Sequence, residues 1–472
     1  MGLETEYGCL VHDEAMTPER AVRKIKDTAF LDLKVGALDI HARDEVFEPA
    51  RSGGFLINGG RLYIDAVGDH LEYATAECLS LKDLIAQERA GQRIINQAVE
   101  ESGLKGEVGF YNNSVDHFSG HTFGCHENYL AIMEEDFFGP KLGPFLSFLV
   151  TRQIFAGAGR VGGHRITGGH HPTLEEVRRN PIDYIWVSNV YDVEPDPGVK
   201  FQLSQRADHI LKTVASRVRW NRAMINPKWE HYYSHERMQR LHLLFGETNQ
   251  SEYATALKVG TTHLAIRLHE EGLLPDELIL AHPVWSLKEV SRDESFTWPV
   301  LLASGEIMGA TALQKEICRL AGRYQGEDAD TDWVLREWAA TLETLESDPM
   351  SLGTKLDWVA KRAMVESFIE AGEAQWGDDV LFSLDLEYHN IDPAASLFHA
   401  MPMERVIGDL DAVDAMTDAP LDTRAFGRSK LVRKALDQRG VKFYAFDWSG
   451  AVMGREEYFD LSDPYDPYAE LA

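Results

Sequence analysis

The sequence predicts an α+β fold with an N-terminal sheet domain, a helical region and a small C-terminal domain. Residues 1–135 combine short strand-like runs with one long helical pattern. From residue 205 to about 390 apolar residues recur mainly at helical spacing. After Asp392 the segments become short and are interrupted by proline. We therefore expect a main domain over residues 1–395 and a second domain over 396–472.

In the first domain, alternating or β-rich runs predict strands. They lie at residues 3–10, 54–65, 107–111 and 127–133. The apolar residues of 81–101 recur every three to four positions, which predicts a helix that is buried on one side.

The helical region contains three amphipathic runs, at residues 208–222, 254–271 and 310–322. Two other segments look irregular. Residues 35–54 are charged and end in Ser-Gly-Gly, which predicts a mobile loop beside the acidic strands. Residues 162–200 are rich in Gly, His, Pro and Asp, which indicates an irregular insertion.

Composition and charge narrow the function classes. The 472 residues carry 47 basic and 76 acidic side chains, a formal charge of −29, which disfavours a nucleic-acid partner. We find no apolar run long enough to span a bilayer and no secretory leader, so we expect no membrane partner. Four cysteines without zinc-like spacing favour a reducing, cytoplasmic location.

Acidic side chains on two predicted strands are the most informative feature. Glu4 and Glu6 share one face of the first strand, and Arg61, Tyr63 and Asp65 share a face of another. Buried carboxylates are costly unless a divalent cation or acid–base chemistry uses them. An exposed edge strand with a salt bridge explains the pattern equally well.

If these strands are neighbours in one sheet, the carboxylates lie several ångströms apart, because paired strands are about 4.8 Å apart. Like charges at that separation favour a bound cation such as Mg²⁺. Further oxygen and nitrogen ligands follow along the chain at Glu72, Glu77, His126, Glu127 and Asn128.

Arginines could complete a phosphate site on the same sheet. Arg61, Arg206 and Arg240 are the candidates to neutralise phosphate oxygens that metal ions leave uncovered. The chain has neither a Walker sequence nor a glycine-rich dinucleotide fingerprint. A nucleotide site would therefore be of the sheet-and-metal type.

Two weaker patterns have simpler explanations. Adjacent Cys125 and His126 could act in nucleophilic catalysis, but neighbouring residues of a strand face opposite ways. His164, His170 and His171 could bind a metal ion, but they lack a fixed ligand spacing, and a solvated loop is favoured.

A series of ordered motifs resembles a known family. They are GLETEYG, NGGRLYID, EYATAEC, NNSVD, GCHENYL, PFLSFLVTRQ, LSQRADHI, RLHLLFGETNQSE and LKVGTTHLAI. These strings resemble the Pup ligase and Pup deamidase/depupylase family, which is related to glutamine synthetase. The resemblance implies a glutamine synthetase-like domain with a curved antiparallel sheet packed by helices. It also implies ATP and Mg²⁺ as cofactors, and a Pup-like modifier with its conjugated proteins as partners.

The resemblance also implies roles for individual residues. Glu4, Tyr63 and Glu72 match the Mg²⁺ positions, with Glu6 as a further candidate ligand. Arg61, Thr75 and Trp448 match ATP contacts, beside the phosphate candidates Arg206 and Arg240. Asp65 matches the catalytic carboxylate. For Trp448, a core indole of the small domain explains the residue equally well.

The two branches of the family differ in what attacks the substrate. We expect the hydrolase branch, which cleaves the C-terminal glutamine amide or the isopeptide bond of a Pup-like modifier. The reason is the inserted loop LDIHARDEVFEPARSGGF before the catalytic strand. The alternative is the ligase, which forms an isopeptide bond between the modifier's C-terminal glutamate and a lysine through a γ-glutamyl phosphate.

One stretch departs from both branches, since Pro227-Lys228-Trp229-Glu230 follows Ile-Asn where the family has Arg-Asp-Glu-Pro. The departure indicates a divergent member, and its modifier could differ from Pup. Two other classes stay open, a nucleotide-binding regulator without turnover and a glutamate–cysteine-type ligase of small molecules.

Overall fold

A computed structural model of the chain describes residues 1–12, 15–43, 48–65, 70–118, 120–133, 137–166, 193–215, 222–228, 237–437, 443–454 and 457–471. The strands are β1 (Gly2–Val11), β2 (Gly36–Leu38), β3 (Gly53–Leu56), β4 (Arg61–Ile64), β5 (Leu71–Ala74), β6 (Val108–Tyr111), β7 (Cys125–Ile132), β8 (Arg160–Val161), β9 (His164–Ile166), β10 (Val193–Pro195), β11 (Phe201–Gln202), β12 (Lys212–Val214), β13 (Ala223–Pro227), β14 (Met238–Leu243), β15 (Pro299–Leu301), β16 (Ile307–Gly309), β17 (Tyr444–Phe446), β18 (Gly450–Met453) and β19 (Glu457–Asp460).

Most of the described helices lie in the later part of the chain. The helices are α1 (Pro18–Asp27), α2 (Leu81–Glu101), α3 (Leu142–Thr151), α4 (Gln153–Ala156), α5 (Glu252–Glu270), α6 (Pro283–Arg292), α7 (Ala310–Ala321), α8 (Ala329–Ser347), α9 (Asp357–Glu370), α10 (Asp379–Tyr388), α11 (Asp409–Asp414) and α12 (Arg424–Asp437). Among the described residues, we find no helix with the length and apolarity needed to cross a membrane.

A ten-stranded sheet organises the described part of the chain. Its strand order is β12-β13-β14-β7-β1-β5-β4-β3-β2, and β6 pairs with the second half of β1. All the pairs are antiparallel except β12 with β13. Because β1 lies between β5 and β7, the alternative of an exposed edge strand is wrong.

One face of the sheet packs on helices. Leu3 of β1 belongs to a large core with Leu84 of α2 and Leu257 of α5. Tyr7, farther along β1, belongs to a second core with Val22 of α1. Alternation along β1 therefore turns Glu4 and Glu6 to the other face, away from these cores.

Several predicted elements are confirmed. The helix at 81–101 has the predicted bounds, and the Ser80 side chain caps it by accepting from the Asp83 amide. Helices α5 and α7 lie within one or two residues of their predicted positions. The run at 54–65 is a hairpin of two strands, β3 and β4, rather than one strand.

Three predictions need correction. The amphipathic run at 208–222 is not a helix in its described part, because residues 212–214 form β12 and pair with β13. The segment at 35–54 is not irregular throughout, because Gly36–Leu38 is a strand of the main sheet. The insertion at 162–200 begins and ends in paired strands, β9 and β10, and residues 167–192 lie outside the described residues.

The C-terminal part packs on the far edge of the main sheet. Leu431 of α12 and Phe446 of β17 share a core with Ala37 of β2 and Phe55 of β3. The strands β17, β18 and β19 form a small sheet of their own. The domain boundary near residue 395 stays a prediction.

Glu77 joins the main sheet to helix α12. The Arg424 Nε donates to its Oε1 at 2.7 Å, and the Arg428 Nη1 donates to the same oxygen at 3.2 Å. Burial alone would raise the pKa of Glu77, but the charges of Arg428 and Arg424 outweigh it and lower the pKa to about 2. The carboxylate is therefore ionised down to strongly acidic pH.

We expect this carboxylate to make the fold sensitive to acid. Its pKa is lower in the folded chain than its ordinary 4.5, so its stabilisation is present above pH 4.5 and is lost as the pH falls towards 2. The shift corresponds to about 3 kcal/mol. In urea unfolding, Glu77→Gln should have a free energy of unfolding lower than that of the wild type by this amount at pH 7. Below pH 4.5 its free energy of unfolding should fall less steeply with pH than that of the wild type. Replacing the exposed Glu101 by Gln is the control, and an unchanged pH slope in Glu77→Gln would contradict the assignment.

Candidate active site

The open face of the sheet gathers acidic side chains from three adjacent strands. In the β1–β5 register Glu6 is opposite Glu72, and in the β4–β5 register Tyr63 is opposite the same Glu72. Glu4 of β1 is opposite His126 of β7. The predicted proximity of these strands is confirmed, and it follows from strand pairing with a side-chain period of two.

Glu4 is held by polar side chains of β7 and β14. Its Oε1 accepts from the Asn128 Nδ2 and from the Arg240 Nη1, both at 3.1 Å. Its Oε2 lies 3.3 Å from the His126 Nδ1. Burial would raise the pKa of Glu4, but His242, His126 and Arg240 hold it well below its ordinary value. Glu4 is therefore a carboxylate fixed in its ionised form.

Glu6 is held from the opposite side. The His70 Nδ1 lies 2.8 Å from its Oε2. Burial opposes ionisation, yet the hydrogen bond and charge of His70 lower the pKa of Glu6 to about 2. A Cβ at Gly124 would lie 2.5 Å from the Glu6 Oε1, so only glycine leaves room for this carboxylate.

Glu72 and Tyr63 lie where the negative charges are most crowded. Burial raises the pKa of Glu72 well above its ordinary value, and Asp65, Glu6 and Glu4 raise it further. Burial and the neighbouring Glu72 also raise the pKa of Tyr63. A bound cation would relieve this repulsion and favour the ionised carboxylate.

The donor atoms present fit a divalent cation. Ligand atoms of Glu4, His126 and His242 lie within 4.8 Å of one another, and so do those of Glu6, Asp65 and His70. Carboxylate oxygens dominate this face, which suits Mg²⁺, a cation that prefers oxygen ligands.

A cavity of about 470 Å³ opens beside the carboxylates. Its wall includes Glu4 and Arg240 as well as Arg61, Thr75 and Trp448. The cavity therefore joins the acidic face to the C-terminal part of the chain. Its volume suits a ligand of the size of a nucleotide.

Trp448 is half-buried, with its indole in the wall of this cavity. It contacts the Phe55 ring edge-on, with centroids 5.0 Å apart, and the Arg428 guanidinium lies 4.8 Å from its centroid. Trp448 also packs against the core of the C-terminal part, so the core indole and the nucleotide contact both stay open. A partly open indole offers a surface on which a nucleobase can stack.

Arg61 already has acidic partners. Its Nη2 donates to the Glu48 Oε2 at 2.7 Å and to the Asp39 Oδ2 at 3.3 Å. Its guanidinium also lies 4.3 Å from the centre of the Tyr63 ring. The segment at 35–54 therefore contacts the site, and a phosphate that binds Arg61 has to compete with Glu48 and Asp39.

Some predicted residues are not brought to this cavity. Arg206 is buried at the start of a 3₁₀ turn and does not line the cavity. Cys125 points into the core, and burial raises the pKa of its thiol, so it is not an activated nucleophile. His164 is buried against the His117 carbonyl, and His170 and His171 lie outside the described residues.

The sequence interpretation missed two histidines of the site. His242 lies on β14, in a region predicted to be helical, and its Nδ1 contacts the Asn128 Oδ1 at 2.8 Å. His70 lies just before β5. The alternation in Arg240-Leu-His242-Leu was the signal for His242, because it places both polar residues on one face.

The fold and the site define the class of protein. The large antiparallel sheet, with helices on one face and carboxylates on the other, is the glutamine synthetase-like fold, which confirms the predicted fold class. The profile of the Pup-ligase protein family matches residues 1–452. The chain belongs to the Pup ligase family.

Curated relatives and solved structures agree with this assignment. The chain is 34% identical to the Pup–protein ligase of Xylanimonas cellulosilytica in an alignment of 468 positions that covers 95% of this chain and 92% of the relative. It is also 34% identical to that of Kocuria rhizophila in an alignment of 491 positions, gaps included, that covers 99% of this chain and 95% of the relative.

The solved structures are of the Pup ligase PafA. In its complex with Pup, the ligase matches with a TM-score of 0.78 and 30% identity, over all of this chain and 90% of that one. In complex with ADP, PafA matches with a TM-score of 0.74 and 30% identity, over 89% and 88% of the chains.

These comparisons correct the predicted branch. The expectation of a deamidase or depupylase rested on the inserted loop, whereas the matched family and the relatives named above are ligases. The alternative of a ligase is better supported. An inserted surface loop is weak evidence for the direction of a reaction, because loops accept insertions without change in the site.

Proposed function

We propose that the protein is an ATP-dependent ligase that joins the C-terminal glutamate of Pup, or of a Pup-like modifier, to lysines of target proteins. The agreement with Pup ligases over nearly the whole chain is the observation that carries this proposal. The site adds support, because Glu4 of the acidic face lines a cavity of nucleotide size.

Residues of the acidic face take the metal in this proposal. Glu4, Tyr63 and Glu72 hold Mg²⁺, with Glu6 as a further ligand. The ion supplies charge neutralisation for the transferred phosphoryl group. Glu4 and Glu6 suit this task because their neighbours keep them ionised.

The nucleotide occupies the cavity in this proposal. Trp448 stacks on the base, Thr75 lies in the wall, and Arg61 and Arg240 bind phosphate oxygens. Arg206 is left out because it does not line the cavity.

The reaction has two steps. A carboxylate oxygen of the modifier attacks the γ-phosphorus of ATP, ADP leaves, and an acyl phosphate forms. The lysine amine then attacks the acyl carbon, phosphate leaves, and the carboxylate of Asp65 accepts the amine proton. Asp65 lies beside Glu6 at the end of β4, within reach of the same face.

A hydrolase with the same site is the second candidate, because the same carboxylates could serve it, although the relatives named above favour the ligase. In that reaction Asp65 attacks the γ-carbonyl itself or activates water. A cytoplasmic location also stays a prediction.

The test uses the full chain with ATP, Mg²⁺ and Pup in its glutamate and glutamine forms, with and without a lysine-bearing acceptor. We expect conjugates of the glutamate form and one ADP for each bond, measured by mass spectrometry and ADP release. Conversion of the glutamine form to glutamate, or cleavage of a preformed conjugate without conjugation, would instead establish the hydrolase.

A further inference from the structure

We propose that His70 is a positioning residue that ties the metal-binding Glu6 to the catalytic Asp65 and sets the distance between them. This inference rests on the proposed function for the roles of the two carboxylates. It adds a residue whose ring contacts the Glu6 carboxylate and whose carbonyl accepts from the Asp65 backbone amide.

The side chain of His70 fixes Glu6. Its Nδ1 lies 2.8 Å from the Glu6 Oε2. A carboxylate oxygen accepts, so this contact requires the tautomer with the proton on the His70 Nδ1. Within the described residues, His70 is the side chain that hydrogen-bonds Glu6, whereas Glu4 has Asn128 and Arg240 as donors. The Gly124 backbone also hydrogen-bonds the Glu6 carboxylate, so His70 supplies the side-chain part of the Glu6 contacts.

The backbone of His70 fixes Asp65. The Asp65 amide donates to the His70 carbonyl at 2.9 Å, where the β4–β5 connection begins and ends. Ligand atoms of Glu6, Asp65 and His70 all lie within 4.8 Å of one another. His70 thus fixes the position of Glu6 relative to that of Asp65.

The ring of His70 is itself held in place. His70 is 6% exposed, and its ring packs on Phe123, with centroids 4.5 Å apart. A ring packed in this way has a defined position, and its hydrogen bond orients the Glu6 carboxylate. This is the usual way in which a hydrogen-bonding partner orients a metal ligand.

The test compares two amides at position 70. Asparagine in His70→Asn places an N–H where the Nδ1–H was, whereas glutamine in His70→Gln extends beyond that point. We expect Mn²⁺ binding to the protein alone, measured by electron paramagnetic resonance, to weaken about 10- to 100-fold in His70→Gln and to stay within about threefold of wild type in His70→Asn.

In activity assays, too, His70→Gln should be affected more than His70→Asn. In conjugation assays, the half-saturating Mg²⁺ concentration should rise about tenfold in His70→Gln, with the KM for Pup unchanged. His282→Asn, at an exposed position, is the control. Phe123→Leu loosens the ring without touching either carboxylate, and a smaller shift in Mn²⁺ binding is expected. If thermal unfolding shows that His70→Gln does not fold, the Mn²⁺ binding of Phe123→Leu tests the inference in its place.

Two results would overturn the inference. Unchanged Mn²⁺ binding in folded His70→Gln, or in Phe123→Leu if His70→Gln does not fold, would show that His70 does not position Glu6. A loss in His70→Asn as large as in His70→Ala would show that the imidazole binds the ion directly. Failure of the wild type to conjugate Pup while the Mn²⁺ order holds would contradict only the proposed function.

Discussion

Asp65→Asn is expected to lower the rate of conjugation by about 10²- to 10⁴-fold, because the amide cannot accept the proton of the attacking lysine. Asparagine has the same shape and leaves the β4–β5 hairpin intact. The KM for Pup and the affinity for ATP should therefore change little. Single-turnover conjugation with saturating ATP and Mg²⁺ measures the effect.

The exposed Asp32 supplies the matched control, and Asp32→Asn should keep the wild-type rate. A full rate in Asp65→Asn would remove Asp65 from the chemistry. A partial recovery of the Asp65→Asn rate at high pH is expected, since solvent then deprotonates the lysine and the general base is needed less.

Asp385→Asn is expected to destabilise the fold by about 3–5 kcal/mol, because it leaves a buried ammonium without its counter-charge. The Lys361 Nζ and the Asp385 Oδ1 are 2.5 Å apart, and both side chains are at most 1% exposed. Burial would raise the pKa of Asp385, but Lys361 and His117 hold it well below its ordinary value. Urea unfolding at pH 7 measures the loss.

Two variants separate this charge effect from general disruption. Asp379→Asn, on the exposed side of the same helix α10, should cost less than about 0.5 kcal/mol. Replacing Lys361 by Met and Asp385 by Leu together should recover much of the stability, since no charge is then left unpaired. A loss below 1 kcal/mol in Asp385→Asn would show that the pair contributes little.

The parts of the fold that sequence predicts well are those with a long, regular pattern. Helix α2 has 21 residues and a capping serine, so both its bounds follow from local signals. Strand β12 has three residues, too few to show alternation, and its pairing with β13 overrides the amphipathic pattern around it. Short strands are therefore where the interpretation was wrong.

The site was predictable to a similar extent. Placing Glu4 and Glu6 on one face needs only the period of a strand. Placing His242 beside Asn128 needs the register of β14 on β7, which depends on residues 114 positions apart. The sequence could not predict whether the enzyme forms or cleaves the bond. Ligase and hydrolase use the same carboxylates and differ only in the nucleophile that attacks.

The cavity wall at Trp448 has a consequence for biosynthesis. Residues 4 and 448 face the same cavity, so segments that are far apart in the sequence and are translated at different times enclose it together. A nascent chain that has not reached β17 carries the carboxylate face but not the wall. We expect a prematurely terminated chain to bind divalent cations yet fail to retain ATP, so the completed chain alone is competent for catalysis.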